Sequence, residues 1–124
     1  MKKMFLSALI PLLAISTAWA SKEINYNCPN VELIKSLGLD STSIYNDGSY
    51  YAVSKKDTYG TSHLWTFHIW KIYASSNKDA LFKANATLTS LSGTPQAEYA
   101  NGFMDCLYNN ENGYITDAYT KYVG

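Results

Sequence analysis

The segment Ser62–Tyr73, SHLWTFHIWKIY, decides the fold because it is the densest run of aromatic and β-branched residues in the chain. Side chains in a strand alternate between its two faces. One face is uniformly apolar, and we assign it to the core: it carries Trp65, Phe67 and Ile69. The other face is mixed and is predicted to be partly solvated: it carries Leu64, Thr66, His68 and Trp70.

Segments on either side predict two helices and the remaining strands. Apolar residues at three-residue steps after Cys28-Pro29 predict a helix at about 29–37, with the proline in its first turn. A second apolar stripe, preceded by serine caps, predicts a helix at about 77–91. Further strands are predicted at 49–54, 103–108 and 114–122, whereas 96–100 is ambiguous, 40–48 is turn-like and 55–61 is a polar connector.

The tight turns between these segments set the fold class. Asn101-Gly102 is a favoured two-residue hairpin turn, and strands joined in this way pair antiparallel. The order is helix, two strands, helix, then two or three strands. We therefore predict an α+β fold, with a single antiparallel sheet of four to five strands, two helices on one face and one disulfide.

Residues 1–20 have the three-part layout of a secretory signal peptide. Two lysines precede an apolar run at 4–15, and Ala18-Trp19-Ala20 gives a small-x-small cleavage site before Ser21. The apolar run is shorter than the roughly 20 residues that span a bilayer. We expect a Sec-type signal, export to the periplasm or the medium, and a single domain at 21–124 without a membrane span; a retained anchor is the alternative.

Cys28 and Cys106 are the two cysteines of the chain. An even count in an exported protein predicts a disulfide, and a pair of free buried thiols is the alternative. The bridge would fasten the start of the first helix to a late strand. A redox role is disfavoured because no Cys-x-x-Cys spacing is present.

Composition and motif content exclude several function classes. The basic residues are all lysine, 10 against 10 acidic residues, so nucleic-acid binding is not expected. Aromatic residues make up 15 % of the chain and charged residues 16 %, which excludes disorder. His63 and His68 point to opposite faces of the predicted strand, so we expect neither a metal nor another cofactor.

Two features could carry a function. Asp105 and Asp117 are predicted to lie near each other across the last hairpin. A pair of carboxylates in a cleft can catalyse glycoside hydrolysis, as in a small hydrolase. The alternative is that both side chains are solvated surface acids. The chain also has 11 tyrosines, and an aromatic sheet face at Thr66, His68 and Trp70 would suit a protein, peptide or glycan. High strand propensity alone also explains tyrosines.

We therefore favour a non-enzymatic binding module that uses the face of Thr66, His68 and Trp70. A small extracytoplasmic hydrolase with Asp105 and Asp117 is the first alternative. A protease-inhibitor-like protein that docks an exposed loop, Lys55–Thr61, is the second. The partner and the oligomeric state do not follow from the sequence.

Short spaced motifs complete the pattern. Cys28-Pro29 is followed after four residues by Ile34-Lys35, and Cys106-x-Tyr108 lies in a late strand. With the tryptophan-containing strand and the alanine-rich helix, this pattern is similar to a group of small exported bacterial proteins known only as domains of unknown function. The resemblance spans most of residues 28–122. It implies a Cys28–Cys106 bridge and an exported location, and it brings no catalytic residue.

Overall fold

One sheet and two helices enclose the core. The computed structural model describes residues 27–121, so the predicted signal peptide at 1–20 lies outside the described residues. The helices are α1 (Val31–Leu37) and α2 (Asn77–Thr89). The strands are β1 (Ser41–Ile44), β2 (Tyr50–Val53), β3 (Thr66–Ile72), β4 (Ser92–Ala100), β5 (Phe103–Asn109) and β6 (Ile115–Lys121).

The strands form a single sheet in the order β1-β2-β3-β6-β5-β4, and every neighbouring pair is antiparallel. The last strand of the chain therefore lies in the middle of the sheet, between β3 and β5. The α+β class with one antiparallel sheet is confirmed. The predicted count of four to five strands is wrong, because the sheet has six.

The two strands that the sequence does not predict clearly are the two edges of the sheet. β1 lies in a segment predicted as turn, and none of its four residues is buried. β4 begins in the segment predicted to stop the second helix, and it contains Gly93 and Pro95 beside a register shift between Ser92 and Gln96. Proline is tolerated at an edge strand because no neighbour needs its missing N–H.

Side-chain caps set where the helices begin. Asn30, not Cys28-Pro29, caps α1, and its side-chain oxygen accepts from the backbone N–H groups of Glu32 and Leu33 at 2.8 and 3.3 Å. Pro29 therefore precedes the helix instead of opening it. Ser76 caps α2 by accepting from the backbone N–H of Asp79 at 3.1 Å.

Both helices share one apolar cluster with one face of the sheet. Trp65, Phe67 and Ile69 are fully buried in that cluster, as the alternation of β3 predicts. The predicted disulfide between Cys28 and Cys106 is present, with Cα atoms 5.9 Å apart, and it fastens the segment before α1 to β5. The opposite face of the sheet, which carries Thr66, His68 and Trp70 of β3, is not part of this cluster.

A β-bulge interrupts β3 beside that opposite face. Tyr50 pairs with Ile72 and Ala52 pairs with Ile69, so two residues of β3 lie opposite one residue of β2. Lys71 takes up the extra position with a φ of 63° and forms an ion pair with Asp47 at 3.0 Å. The bulge lets Ile69 and Ile72, three residues apart, both point into the core. Within residues 27–121, neither helix has the length and apolar character needed to cross a bilayer.

Candidate functional site

Thr66, His68 and Trp70 lie on the face of β3 that points away from the core, as the sequence predicts. Thr66 and Trp70 are half-buried. His68, however, is only 6 % exposed, so it is less solvated than predicted. Neighbouring aromatic rings cover its imidazole.

These rings form a continuous series across the face, which we call the aromatic row. Trp70 stacks on Tyr51 and on His68, with 5.0 Å between ring centroids in each pair. His68 stacks in turn on Tyr119 at 4.9 Å. Two further rings, Tyr45 and Phe103, meet Trp70 and Tyr119 edge-on at 5.7 and 5.8 Å. Aromatic pairs in these geometries stabilise the face beyond the area that they bury.

Two carboxyl groups lie beside the aromatic row. Asp117 on β6 pairs with His68 on one side and with Leu107 on the other. Asp105 pairs with Tyr119, which places it diagonally from Asp117 on the same face. Asp105 lies close enough to Asp117 to influence the pKa of its carboxyl group, and Trp70 Nε1 donates to Asp117 Oδ1 at 3.0 Å. The predicted proximity of Asp105 and Asp117 is confirmed.

The surroundings of Asp117 favour its protonated form. Burial is the largest cause that raises the pKa of Asp117, to about 8, and the hydrogen bond and charge of Asp105 act in the same direction. The hydrogen bond from Trp70 opposes them. Asp105 Oδ1 is buried, and no described residue donates to it. A protonated Asp117 can serve as donor between the two side chains, and the pair then carries a single negative charge.

His68 is neutral in this environment. Burial lowers the pKa of His68 to about 4, although the negative charge of Asp105 opposes this shift. Its Nδ1 atom is buried and has no hydrogen-bond partner within the described part of the chain. Most buried polar atoms in proteins are hydrogen-bonded, so this nitrogen is a hydrogen-bonding position that the described fold leaves unsatisfied.

The rings and the carboxyl groups together line a groove of about 360 Å³ on the open face. Its lining consists of His68, Trp70, Glu98, Phe103, Asp105, Asp117 and Tyr119. A second cavity of about 250 Å³ adjoins it and shares Trp70, Asp105 and Asp117. The larger groove falls within the range of small-molecule sites, about 300–1,000 Å³. We refer to it below as the acidic groove.

Three residues of the acidic groove are missed by the sequence: Glu98, Phe103 and Tyr119. Glu98 lies on the edge strand β4 directly opposite Asp105. Tyr119 reaches the groove because β6 inserts beside β3. The alternation within each strand gives the face on which a residue lies, but the neighbours come from strand order, which has no local signal.

The two histidines do not form a common site. His63 lies in the bend before β3, where its Nδ1 is 3.3 Å from Ser62 Oγ. Among the described residues, no group of three or more histidine, cysteine or acidic side chains is placed to hold a metal ion. The groups that the acidic groove presents to a ligand are its carboxyl groups, the imidazole of His68 and its aromatic rings.

The loop Lys55–Thr61 is held against the body of the protein. Asp57 and Trp65 exchange both backbone hydrogen bonds, at 3.0 and 2.8 Å. Tyr59 is only 2 % exposed, and its hydroxyl donates to Ser54 Oγ at 2.7 Å. The side chains that remain exposed in this loop are polar.

The comparisons with known proteins give a family and no function. Neither the curated proteins nor the solved structures contain a match to this chain. One family model covers residues 27–121, and these are the same residues that form the fold described above. The chain therefore belongs to the family described as a domain of unknown function (DUF4949).

Proposed function

We propose that this protein is an exported binding module without catalytic activity, and that its ligand lies in the acidic groove against the aromatic row. The observation that carries the proposal is the open face itself: aromatic rings and three carboxyl groups surround a groove of small-molecule size. Concave sites with apolar walls and few polar groups are typical of ligand binding. The contact residues include His68 and Trp70. Thr66, the first residue of β3, lies on the same face beside His68.

The environment of the face supports this proposal over the loop hypothesis. The helices and the disulfide lie on the other side of the sheet, where they hold the strands of the groove in place. Sites built on strands are held more precisely than sites on loops. The signal peptide predicted at residues 1–20 would direct export, and the disulfide is compatible with an oxidising compartment.

The carboxyl pair keeps a small hydrolase as a second candidate. Asp105 and Asp117 are neighbours, and the pKa of Asp117 is raised, as it is in catalytic acid pairs. Glycoside hydrolases, however, separate their two carboxyl groups by about 5 Å or by 6.5–9.5 Å to accommodate the sugar or a water molecule. Asp105 and Asp117 instead rise from neighbouring strands on the same face of the sheet and line the same side of the groove, which favours binding.

The test is a protein-observed NMR titration of the oxidised protein with a set of small probes. The set contains phenethylamine, 2-phenylethanol, phenylacetate and N-acetylglucosamine. We expect at least one probe to shift the signals of His68, Trp70 and Tyr119 in a saturable manner. If no probe shifts these signals, or if the shifts cluster on α2, the binding proposal is wrong.

Two variants separate binding from folding in this experiment. Trp70→Ala removes the ring between Tyr51 and His68 and is expected to abolish binding. Phe82→Ala is the matched control, because Phe82 is a 73 % exposed aromatic side chain on α2. If Trp70→Ala unfolds the domain, Trp70→Phe, which keeps a ring, replaces it. Hydrolysis of a chromogenic glycoside or ester by the wild type, lost in Asp105→Asn, would instead support the second candidate.

A further inference from the structure

We propose that the acidic groove takes a small organic ammonium ion, in which a primary amine meets His68 Nδ1 and the Asp105–Asp117 pair and an apolar body lies against Trp70, Phe103 and Tyr119. This inference rests on the proposed binding function and specifies its ligand. It follows from three properties of the groove, which are its charge, its unpartnered nitrogen and its aromatic wall.

The charge of the groove is negative and uncompensated. Glu98 and Asp105 lie directly opposite each other on β4 and β5, and Asp117, whose raised pKa favours its neutral form, is the diagonal neighbour of Asp105. Like charges at opposite positions of a sheet destabilise it. No ion pair formed within residues 27–121 reaches any of these three side chains. A cation in the groove relieves this repulsion.

An anionic ligand finds no partner in the same place. The lining of the groove contains no lysine, and the chain has no arginine. Lys71 lines the adjoining cavity, but its ammonium is held by Asp47 at 3.0 Å. Lys121 lies on the same face, two residues after Tyr119 in β6 and opposite Phe103. It does not line the groove.

The unpartnered nitrogen of His68 can accept from a hydrogen-bond donor. The neutral imidazole has one nitrogen lone pair, and a tautomer with a proton on Nε2 places it on Nδ1. The side chain is 94 % buried, and Nδ1 has no partner among the described groups. A primary ammonium has three donors and no acceptor, so it can serve Nδ1 and a carboxylate oxygen together. A buried charge is tolerated only when paired in this way.

The wall and the size of the groove specify an organic cation of limited length. Trp70, Phe103 and Tyr119 supply rings, and cations bind favourably near aromatic faces. A volume of about 360 Å³ suits a small molecule. A bare metal ion is disfavoured, because within the described residues no three ligating side chains converge. The proposed ligand is therefore a free small amine. The experiment below distinguishes it from a lysine side chain of a partner protein.

The experiment compares matched probes on the oxidised full-length mature protein. Phenethylamine, 2-phenylethanol and phenylacetate share one aromatic body and differ in the charge of the terminal group. We expect phenethylamine to bind about ten-fold more tightly than the alcohol, and phenylacetate to bind least, as measured by NMR titration. The trimethylated form of phenethylamine keeps the charge and loses its donors, so it is expected to bind more weakly than the primary amine.

Variants of the groove then test which side chains recognise the amine. Glu98→Gln and Asp105→Asn each remove one carboxylate and are expected to reduce the affinity for phenethylamine several-fold more than that for 2-phenylethanol. Glu111→Gln removes the same charge from the exposed loop after β5 and is the control. Lys121→Gln is expected not to weaken binding, because Lys121 lies outside the groove.

The outcomes separate this inference from the function on which it rests. If 2-phenylethanol or N-acetylglucosamine binds at the face as tightly as phenethylamine, the face binds ligands but the ammonium assignment is wrong. If Nα-acetyl-lysine amide binds more tightly than phenethylamine, the ligand is a lysine side chain and not a free amine. If no probe perturbs His68 or Trp70, both proposals are wrong.

Discussion

Trp70 and Asp117 join the two central strands of the sheet through their side chains, with Nε1 donating to Oδ1 at 3.0 Å. The indole is also the ring on which Tyr51 and His68 stack. One residue therefore belongs both to the aromatic row and to the carboxyl pair. A change at Trp70 must affect the packing of the rings and the proton on Asp117 together.

Trp70→Phe separates these two roles. Phenylalanine keeps an aromatic ring in the row but cannot donate to Asp117. Because the Trp70 hydrogen bond lowers the pKa of Asp117, its loss is expected to raise that pKa further. The free energy of unfolding should fall by about 1 kcal/mol, the typical contribution of one hydrogen bond. A ¹³C NMR titration of the aspartate carboxyl signals measures the first effect, and urea unfolding measures the second.

Tyr119→Phe is the matched control for that variant, because it keeps the stacking on His68 and does not touch the bond between Trp70 and Asp117. It should leave the titration of Asp117 in place. An Asp117 carboxyl signal that titrates in Trp70→Phe as it does in the wild type would contradict the hydrogen bond.

The carboxyl pair also makes stability depend on pH. The folded pKa of Asp117 is raised from 3.8 to about 8, so the folded state keeps a proton that the unfolded chain has released. Stability from this group is present at low pH and is lost as pH rises toward 8. The folded pKa of His68 is lowered from 6.5 to about 4, so its contribution rises with pH across that range.

Between about pH 4 and 6.5, Asp117 lowers the unfolding free energy as pH rises and His68 raises it. Above that range only the decrease due to Asp117 remains. We therefore expect the unfolding free energy to be nearly level at first and then to fall by about 1–2 kcal/mol between pH 6.5 and 8. In Asp117→Asn the fall should disappear and the rise from His68 should remain. Urea unfolding at several pH values measures both profiles. A wild-type profile that climbs through pH 8 would show that Asp117 is ionised in the folded state.

Much of the central sheet follows from the sequence, because its strands bury one face. Alternation in β3 separates Trp65, Phe67 and Ile69 from Thr66, His68 and Trp70, and the structure keeps this division. The edge strand β1, STSI, buries no side chain and therefore shows no apolar alternation. The bulge at Lys71 is likewise invisible locally, since it depends on pairing with β2 and on the ion pair with Asp47.

The site is predicted only in part for a related reason. Hairpin geometry brings Asp105 and Asp117 together, because β5 and β6 are adjacent in sequence and in space. The pairing of Asp117 with His68 requires β6 to insert beside β3, a pairing between residues about 50 positions apart. Burial of Tyr59 is missed because its neighbours in the connector are polar, although its hydroxyl bonds Ser54.

The disulfide is expected to supply a large part of the stability. Cys28 and Cys106 are separated by 78 residues, and closing a loop of that length stabilises a fold by about 4 kcal/mol in the chain-entropy description. A domain of this size has a total stability of about 5–15 kcal/mol. Reduction should therefore lower the urea midpoint strongly, and Cys28→Ala/Cys106→Ala should behave like the reduced wild type. An oxidised and a reduced protein with equal midpoints would contradict this expectation.

The segment before α1 has a second attachment, and its contribution can be measured separately. The hydroxyl of Tyr108 donates to the carbonyl oxygen of Pro29 at 2.7 Å in a buried position. Tyr108→Phe leaves that carbonyl without its donor, so we expect a loss of about 1–3 kcal/mol with the disulfide intact. Because α1 begins two residues after Pro29, hydrogen exchange should accelerate in Val31–Leu37 more than in the strands.

Thr120→Val is the control for this last variant. It also removes a hydrogen bond from a buried side chain to a backbone carbonyl, because Thr120 Oγ1 donates to the carbonyl oxygen of Leu64 at 2.6 Å. Thr120 lies near the end of the described chain, far in sequence from α1. It should cost a similar free energy and leave exchange in α1 as it is in the wild type. Equal acceleration of α1 in both variants would mean that α1 opens only when the whole domain unfolds, and that the Tyr108 hydroxyl has no separate role in holding it.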